Sequence, residues 1–156
     1  MNRKLKTLVI AVITLVLLAF IAFVVLGVVS RSGAVAGLEQ GRLTPCPDTP
    51  NCVCSEYEED VSHWIEPMVY TGSDLTQTLD ALKQTIREMD GRIQAEDGSY
   101  FAAIFTTPVF GFVDDLEIRI DAGEKLVHLR SSSRVGYSDR GLNRKRVERL
   151  KRLFRS

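Results

Sequence analysis

The chain has 156 residues, of which 45% are hydrophobic, and its 20 basic and 20 acidic side chains give a formal net charge of zero. The charge is unevenly spread, because residues 43–156 carry 15 Lys and Arg against 19 Asp and Glu, a formal charge of −4. The composition of this part is that of an ordinary soluble domain, and about 114 residues are enough for one compact domain and too few for two.

An uninterrupted apolar stretch from Leu8 to Val29 contains no charge and one hydroxyl, that of Thr14. Such a stretch reaches about 33 Å as a helix, at ~1.5 Å per residue, and can cross a hydrocarbon layer of about 30 Å. We therefore predict a transmembrane helix over residues 8–29 that acts as a signal anchor in the lipid bilayer. A cleaved signal peptide is the alternative, because a small-x-small site follows at Ala34-Val35-Ala36, although signal-peptide apolar regions usually span about 7 to 15 residues.

Orientation is predicted from the basic residues near the span, because Lys and Arg are retained on the cytoplasmic side. Three basic residues precede the stretch and two follow it nearby, namely Arg3, Lys4 and Lys6, then Arg31 and Arg42. This bias predicts a single-pass protein with residues 1–7 in the cytoplasm. The remainder would lie outside the cytoplasm, which in a bacterium is the periplasm.

Three cysteines, Cys46, Cys52 and Cys54, lie within the sequence PCPDTPNCVC. Thiols outside the cytoplasm are exposed to oxidants, so we expect a Cys46–Cys52 disulfide that closes a short proline-containing loop. Two alternatives remain open. Three thiolates could bind a soft metal, although the usual C-x2-C spacing is lacking and His63 is the only imidazole nearby. Unpaired Cys54 could instead exchange with the neighbouring disulfide.

Downstream of a segment at 30–42 that we expect to be a flexible linker, hydrophobic periodicity predicts one α+β domain over residues 43–156. A first helix has Ser73 as its N-cap and ends at Asp90-Gly91, where glycine can adopt the left-handed conformation. Its apolar stripe consists of Leu75, Leu79, Leu82, Ile86 and Met89. Strands are predicted at 92–96, 100–106, 113–121 and 125–130, and a last helix at 143–155.

Alternation in the third predicted strand separates two sets of side chains. Leu116, Ile118 and Ile120 point one way, and Asp115, Glu117, Arg119 and Asp121 point the other way. We therefore expect a four-stranded antiparallel sheet with one buried face, packed by two helices, and one face open to water.

The loop between the last strand and the last helix is the densest collection of polar groups in the chain. Guanidinium groups, hydroxyls and flexible glycines that lead into a helix N-terminus can bind a small anion. The candidate ligand-binding residues are Asp115, Glu117, Arg130, Ser131, Ser133, Arg134, Tyr137, Ser138, Asp139, Asn143 and Arg144. The alternative is internal: Arg130 and Arg134 pair with the acidic strand residues, and Asp139 or Asn143 only caps the helix.

Three separated motifs, CPDTPNCV, FVDDLEIRI and RSSSRVGYSDRGLNRKRVERL, occur in the order and spacing of a known family. Over about residues 43–152 the chain resembles the domain of unknown function 1499 family, whose activity is not established. The resemblance implies family roles for the polar residues Asp114, Asp115, Glu117, Arg130, Ser131, Ser133, Arg134, Tyr137, Ser138, Asp139, Asn143, Arg144 and Arg146. The chain departs from the family pattern at Cys54, where the pattern has serine, and at Ile118, where it has an aromatic residue.

Enzymatic signals are weak. His128 lies on a predicted strand, and we favour a surface histidine over a catalytic base for Ser131 or Ser133. Asp114 and Asp115 face opposite sides of their strand, so only one belongs to any single site. We expect no cofactor and no metal. A hydrolase-like periplasmic enzyme built on the same polar cluster is the second hypothesis.

The last helix carries seven basic side chains against Glu148 alone. They are Arg144, Lys145, Arg146, Arg149, Lys151, Arg152 and Arg155. Outside the cytoplasm their counterparts are anionic lipid head groups or the acidic strand residues rather than nucleic acid. The sequence therefore predicts a membrane-anchored envelope protein that acts as a binding or structural module, with a small anionic ligand or an envelope protein as its partner.

Overall fold

The computed structural model describes residues 2–71 and 74–155. The helices are α1 (Arg3–Ser32), α2 (Leu75–Glu88) and α3 (Leu142–Arg155). The strands are β1 (Leu38–Glu39), β2 (Arg42–Leu43), β3 (Cys52–Cys54), β4 (Met68–Val69), β5 (Arg92–Asp97), β6 (Tyr100–Thr106), β7 (Val113–Asp121) and β8 (Leu126–Ser133). The α+β class is confirmed, and α1 is long and apolar enough to cross a membrane.

The main sheet has six strands, so the predicted four-stranded sheet is wrong in its size. Strands β5 to β8 form the expected antiparallel meander, and β3 and β4 both pair antiparallel with β8. The resulting order is β3-β8-β7-β6-β5, and β1 and β2 form a separate hairpin. Sequence alternation cannot reveal strands of only two or three residues, because one repeat of the period is too short to recognise.

The main core lies between one face of this sheet and the helices α2 and α3. Its fully buried side chains include Leu82, Ile86, Phe101, Leu116, Ile118, Leu129, Val147 and Leu150. Helix α2 is capped by Asp74, whose Oδ1 accepts hydrogen bonds from the backbone N–H of Thr76 (2.8 Å) and Gln77 (3.3 Å). The predicted cap, Ser73, lies outside the described residues.

The end of α2 differs from the prediction in one detail. Asp90, rather than Gly91, adopts the left-handed conformation, with φ of 69°. Gly91 is required for a different reason, because a Cβ at this position would collide with the side chains of Ile86 and Phe105. Asp90 therefore makes the turn that ends α2, and the absence of a side chain at Gly91 allows the backbone to pack against Ile86 and Phe105.

The second face of the sheet is buried, so the expectation that it is open to water is wrong. Asp115 is 4% exposed and Glu117 is fully buried. The chain between α1 and β3 covers these carboxylates and contributes Val35, Leu43 and Cys46 to a second apolar cluster. Strand alternation reveals which residues share a face, but it does not reveal that a distant segment covers the polar face.

Helix α1 packs its last turns against the domain. The contacting residues follow a spacing of three, four and three along one helix face, namely Phe20, Phe23, Gly27 and Ser30. Phe110, in the loop between β6 and β7, stacks on Phe23 with ring centroids 5.2 Å apart. A Cβ at Gly27 would collide with the Phe110 carbonyl, so glycine allows this close approach. The domain thus contacts the predicted span directly.

Candidate functional site

Arg134 and Asp115 form an ion pair at the junction between α1 and the domain. Arg134 donates from Nη2 to Asp115 Oδ1 at 2.7 Å and from Nε to Oδ2 at 2.9 Å. Its Nη1 also donates to the backbone carbonyls of Ser30, in the last turn of α1, and Gly33, the residue that follows the helix. The hydrogen bonds to Asp115 raise the pKa of Arg134, and burial opposes this shift. One guanidinium therefore joins β7, β8 and α1.

Glu117 is the centre of a second buried group on the same sheet face. Arg130 Nη1 donates to Glu117 Oε1 at 2.7 Å, and the Tyr100 hydroxyl donates to Oε2 at 2.8 Å. The backbone N–H of Gly37, in the segment that follows α1, also donates to Oε2 at 2.7 Å. Burial and the neighbouring Glu117 carboxylate raise the pKa of Tyr100 well above its usual range. The phenol therefore remains a hydrogen-bond donor.

Asn143 occupies the opposite sheet face and satisfies every polar atom of its amide. Its Oδ1 accepts hydrogen bonds from Ser131 Oγ at 2.6 Å and from Arg146. Its Nδ2 donates to the Asn51 carbonyl at 2.9 Å and to Ser133 Oγ at 3.0 Å. This side chain, 1% exposed, joins α3 to β8 and to the segment before β3.

Arg146 was absent from the predicted ligand-binding set, although the family resemblance included it. Its Nη2 donates to Asp114 Oδ2 at 2.6 Å, and its guanidinium lies 4.7 Å from the centroid of the Phe105 ring. The spacing of three residues from Asn143, which places both side chains on one face of α3, was the available signal. Asp114 and Asp115 thus pair with different arginines on opposite faces.

The exposed part of the loop serves other roles. Asp139 caps α3, because its Oδ2 accepts from the backbone N–H of Asn143 at 2.6 Å and its Oδ1 from that of Gly141 at 2.9 Å. Tyr137 is 73% exposed, and the Ser138 hydroxyl accepts a hydrogen bond from the backbone N–H of Arg140. Arg144 turns away and donates to the backbone carbonyls of Trp64 and Ser62.

The predicted site residues therefore do not line a single cavity. A cavity of about 220 Å³ is lined by Arg130, Ser132, Ser133 and Arg134 together with Asp115 and the segment after α1. Another, of about 290 Å³, lies between Tyr137, Asp139 and Arg144 and the disulfide loop. Among the described residues, the Nε of Arg130 has no hydrogen-bond partner.

Within residues 2–71 and 74–155, neither Ser131 nor Ser133 is hydrogen-bonded to a histidine that could act as its base. His128 Nδ1 lies 3.4 Å from Ser55 Oγ, which already accepts a hydrogen bond from the Leu129 N–H at 2.8 Å. Burial lowers the pKa of His128. His63 contacts Asp60 at 2.6 Å through Nδ1, and its Nε2 lies 3.2 Å from the Thr49 carbonyl, so both ring nitrogens are engaged.

The Cys46–Cys52 disulfide is confirmed. It removes two of the three thiolates that the metal hypothesis required, and the described residues contain no group of three His, Cys, Asp or Glu side chains able to hold a metal. Cys54 is a free and buried thiol. Burial raises its pKa to about 11, which disfavours the thiolate needed for disulfide exchange.

The comparison with protein families agrees with the motifs around these side chains. Residues 42–154 match the family described as protein of unknown function (DUF1499). No curated protein matches the chain. The match spans β2 to α3 and contains every ion pair of the buried network described above, from Asp114 and Asp115 to Arg146. The chain therefore belongs to the DUF1499 family of proteins of unknown function.

Proposed function

We propose that this protein is a single-pass envelope protein whose domain is a binding and structural module, held against the membrane by its own anchor. The observation that carries this proposal is the position of Arg134, which pairs with Asp115 and also binds the end of α1. If residues 30–42 were only a flexible linker, no buried ion pair would be needed where the chain leaves α1. A second contact has the same consequence, since the backbone N–H of Val113 donates to Ser30 Oγ at 2.7 Å.

The proposed orientation places residues 1–7 in the cytoplasm and the domain in the periplasm. Basic residues before the span support this orientation, and the disulfide supports an oxidising compartment. The ligand part of the proposal concerns the cavity beside Arg130 and Arg134. Both guanidinium groups are already paired with carboxylates, so the ligand would be a small anionic or acceptor group rather than a highly charged one.

Two experiments test the parts separately. An alkaline phosphatase fused after residue 156 should be active in intact cells, and a green fluorescent protein fused there should be dark. The reverse pattern would refute the orientation. For the ligand part, a thermal-shift screen of small anions on the detergent-solubilised full chain should find a ligand whose stabilisation is lost in Arg130→Lys. Lysine keeps the charge but lacks the guanidinium, so equal stabilisation of both proteins would refute the assignment to Arg130.

A further inference from the structure

A third cavity, of about 300 Å³, lies where α1 meets the domain. Phe23 and Leu26 of α1 line one side of it, and Phe112, Val135 and Leu142 of the domain belong to the other. Phe23 lies six residues before the predicted end of the span, so at ~1.5 Å per residue it is about 9 Å from that end, towards the bilayer centre. If α1 spans the bilayer as proposed, the cavity lies at the depth of the outer leaflet.

The loop between β6 and β7 lies at the same depth. Phe110 contacts Phe20 and Phe23, and Phe112 lies 6.4 Å from Phe23 between ring centroids. Val109 at the loop tip is 80% exposed. An exposed valine next to a phenylalanine that packs on the proposed span is better suited to contact with hydrocarbon than with water. The apolar wall of the cavity is therefore continuous with the lipid-facing surface of α1.

The polar rim of this cavity combines two carboxylates with one guanidinium. Its two carboxylates are engaged, since Asp114 pairs with Arg146 and Asp139 caps α3. The guanidinium of Arg140, which also lines the cavity, has no hydrogen-bond or ion-pair partner within the described residues. Arg140 also adopts φ of 55°, a conformation that costs an L-residue about 1–2 kcal/mol. A guanidinium above an apolar cavity matches a phosphate above an acyl chain.

We propose that this cavity binds one anionic phospholipid, with its phosphate at Arg140 and the first part of one acyl chain against Phe23, Leu26 and Val135. The inference rests on the proposed membrane span. Lys145 strengthens the preference for an anionic head group, because it and Leu142 line an adjoining surface depression on α3. The lipid would thereby fill the space between the anchor and the domain.

Native mass spectrometry of the full chain tests the proposal after reconstitution with equal amounts of phosphatidylglycerol and phosphatidylcholine. The wild-type chain should retain one phosphatidylglycerol, with a preference of roughly fivefold for a pair worth about 1 kcal/mol. Arg140→Glu should abolish the preference. Arg152→Glu is the matched control, because it makes the same charge change farther along α3, in a side chain that lines a different cavity. Val135→Trp should reduce retention of both lipids by filling the apolar part.

Equal retention of the two lipids by the wild-type chain, or equal preference in the Arg140 and Arg152 variants, would overturn the proposal. So would displacement of the lipid by soluble glycerol phosphate, because the cavity would then bind a free phosphate ester. Alkaline carbonate extraction separates this failure from failure of the proposed function. A chain released by carbonate is not an integral membrane protein, whereas a chain that stays in the membrane without lipid preference refutes only the lipid site.

Discussion

Arg134 and Asp115, nineteen residues apart in sequence, are joined by hydrogen bonds from both Nε and Nη2 of the guanidinium, and both side chains are more than nine-tenths buried. The same guanidinium binds two carbonyls at the end of α1. A buried carboxylate without its counter-ion is costly, so this pair links the stability of the domain to the position of α1.

Replacing Arg134 with alanine should therefore lower the free energy of unfolding by about 3 kcal/mol, because Asp115 would be left buried and unpaired. The measurement is chemical unfolding of the detergent-solubilised chain. Arg87→Ala, at an exposed residue of α2, should change stability by less than about 0.5 kcal/mol. The double change Arg134→Met with Asp115→Leu should recover most of the loss. Equal stability of the Arg134 and Arg87 variants would contradict a structural role for the pair.

Gly27→Val should destabilise the contact between α1 and the β6–β7 loop, since a Cβ there collides with the Phe110 carbonyl. Overpacking of this kind costs roughly 1–3 kcal/mol. Protease sensitivity of the loop at Phe110 and the unfolding midpoint in detergent are suitable measurements. Ala22→Val adds comparable bulk to an exposed position of the same helix and should leave both unchanged. If both variants behave alike, the loop does not pack on α1.

The three cysteines should differ in reactivity. With a pKa of about 11, the Cys54 thiol is ionised to about one part in 10,000 at pH 7, and it is buried as well. We expect no alkylation of Cys54 by iodoacetamide in the native chain and full alkylation after unfolding, read by peptide mass mapping. Cys54→Ser should keep the disulfide. Cys46→Ser should cost about 2 kcal/mol, the loop-entropy value for so short a loop. Native labelling of Cys54 would contradict its burial.

Stability should fall as the pH drops below about 6.5 because of His128. Burial, followed by Arg119, lowers the pKa of this histidine in the folded state, while Glu56 and Asp121 oppose the shift. The folded chain therefore binds fewer protons than the unfolded chain in this window, and protonation favours unfolding. The stabilisation is complete above the ordinary pKa of 6.5 and is lost as the pH falls through the lowered pKa.

His128→Asn should flatten the pH dependence of the unfolding free energy as the pH falls below about 6.5, the ordinary histidine pKa. The acid limb at lower pH should remain, because hydrogen bonds lower the pKa values of Asp60 and Asp121 below their ordinary value of 3.8. Those carboxylates lose their contribution only as the pH falls through the lowered values. An unchanged slope in the His128 variant would exclude this histidine as the cause.

The helices and the four long strands could be predicted because each contains several repeats of its hydrophobic period. Strands β3 and β4 could not, because they have three and two residues. The buried state of Glu117 was also hidden, since alternation with Leu116 and Ile118 is the same for a wet face and for a face covered by another segment. Only the long-range contact from Gly37 distinguishes the two cases.

The candidate site could likewise be predicted only in part. Its residues were recognisable from composition and motif order, including the arginines at 130 and 134. Their pairing with the acidic strand residues was one of two interpretations, but which arginine pairs with which carboxylate depends on strand register. Glu117 lies opposite Arg130, and Asp115 lies opposite Ser132, two residues before Arg134. Arg146 was missed as a candidate because a basic helix face resembles an ordinary solvated surface. Its contact with Asp114 becomes visible only when α3 is placed on the sheet.

The stripe of Phe20, Phe23, Gly27 and Ser30 gives α1 a mechanical role. Four contacts along one helix face resist rotation of α1 about its axis, so a twist or tilt of α1 would turn the whole domain with it. A force applied to the opposite side of α1 would thereby move the domain without touching its surface.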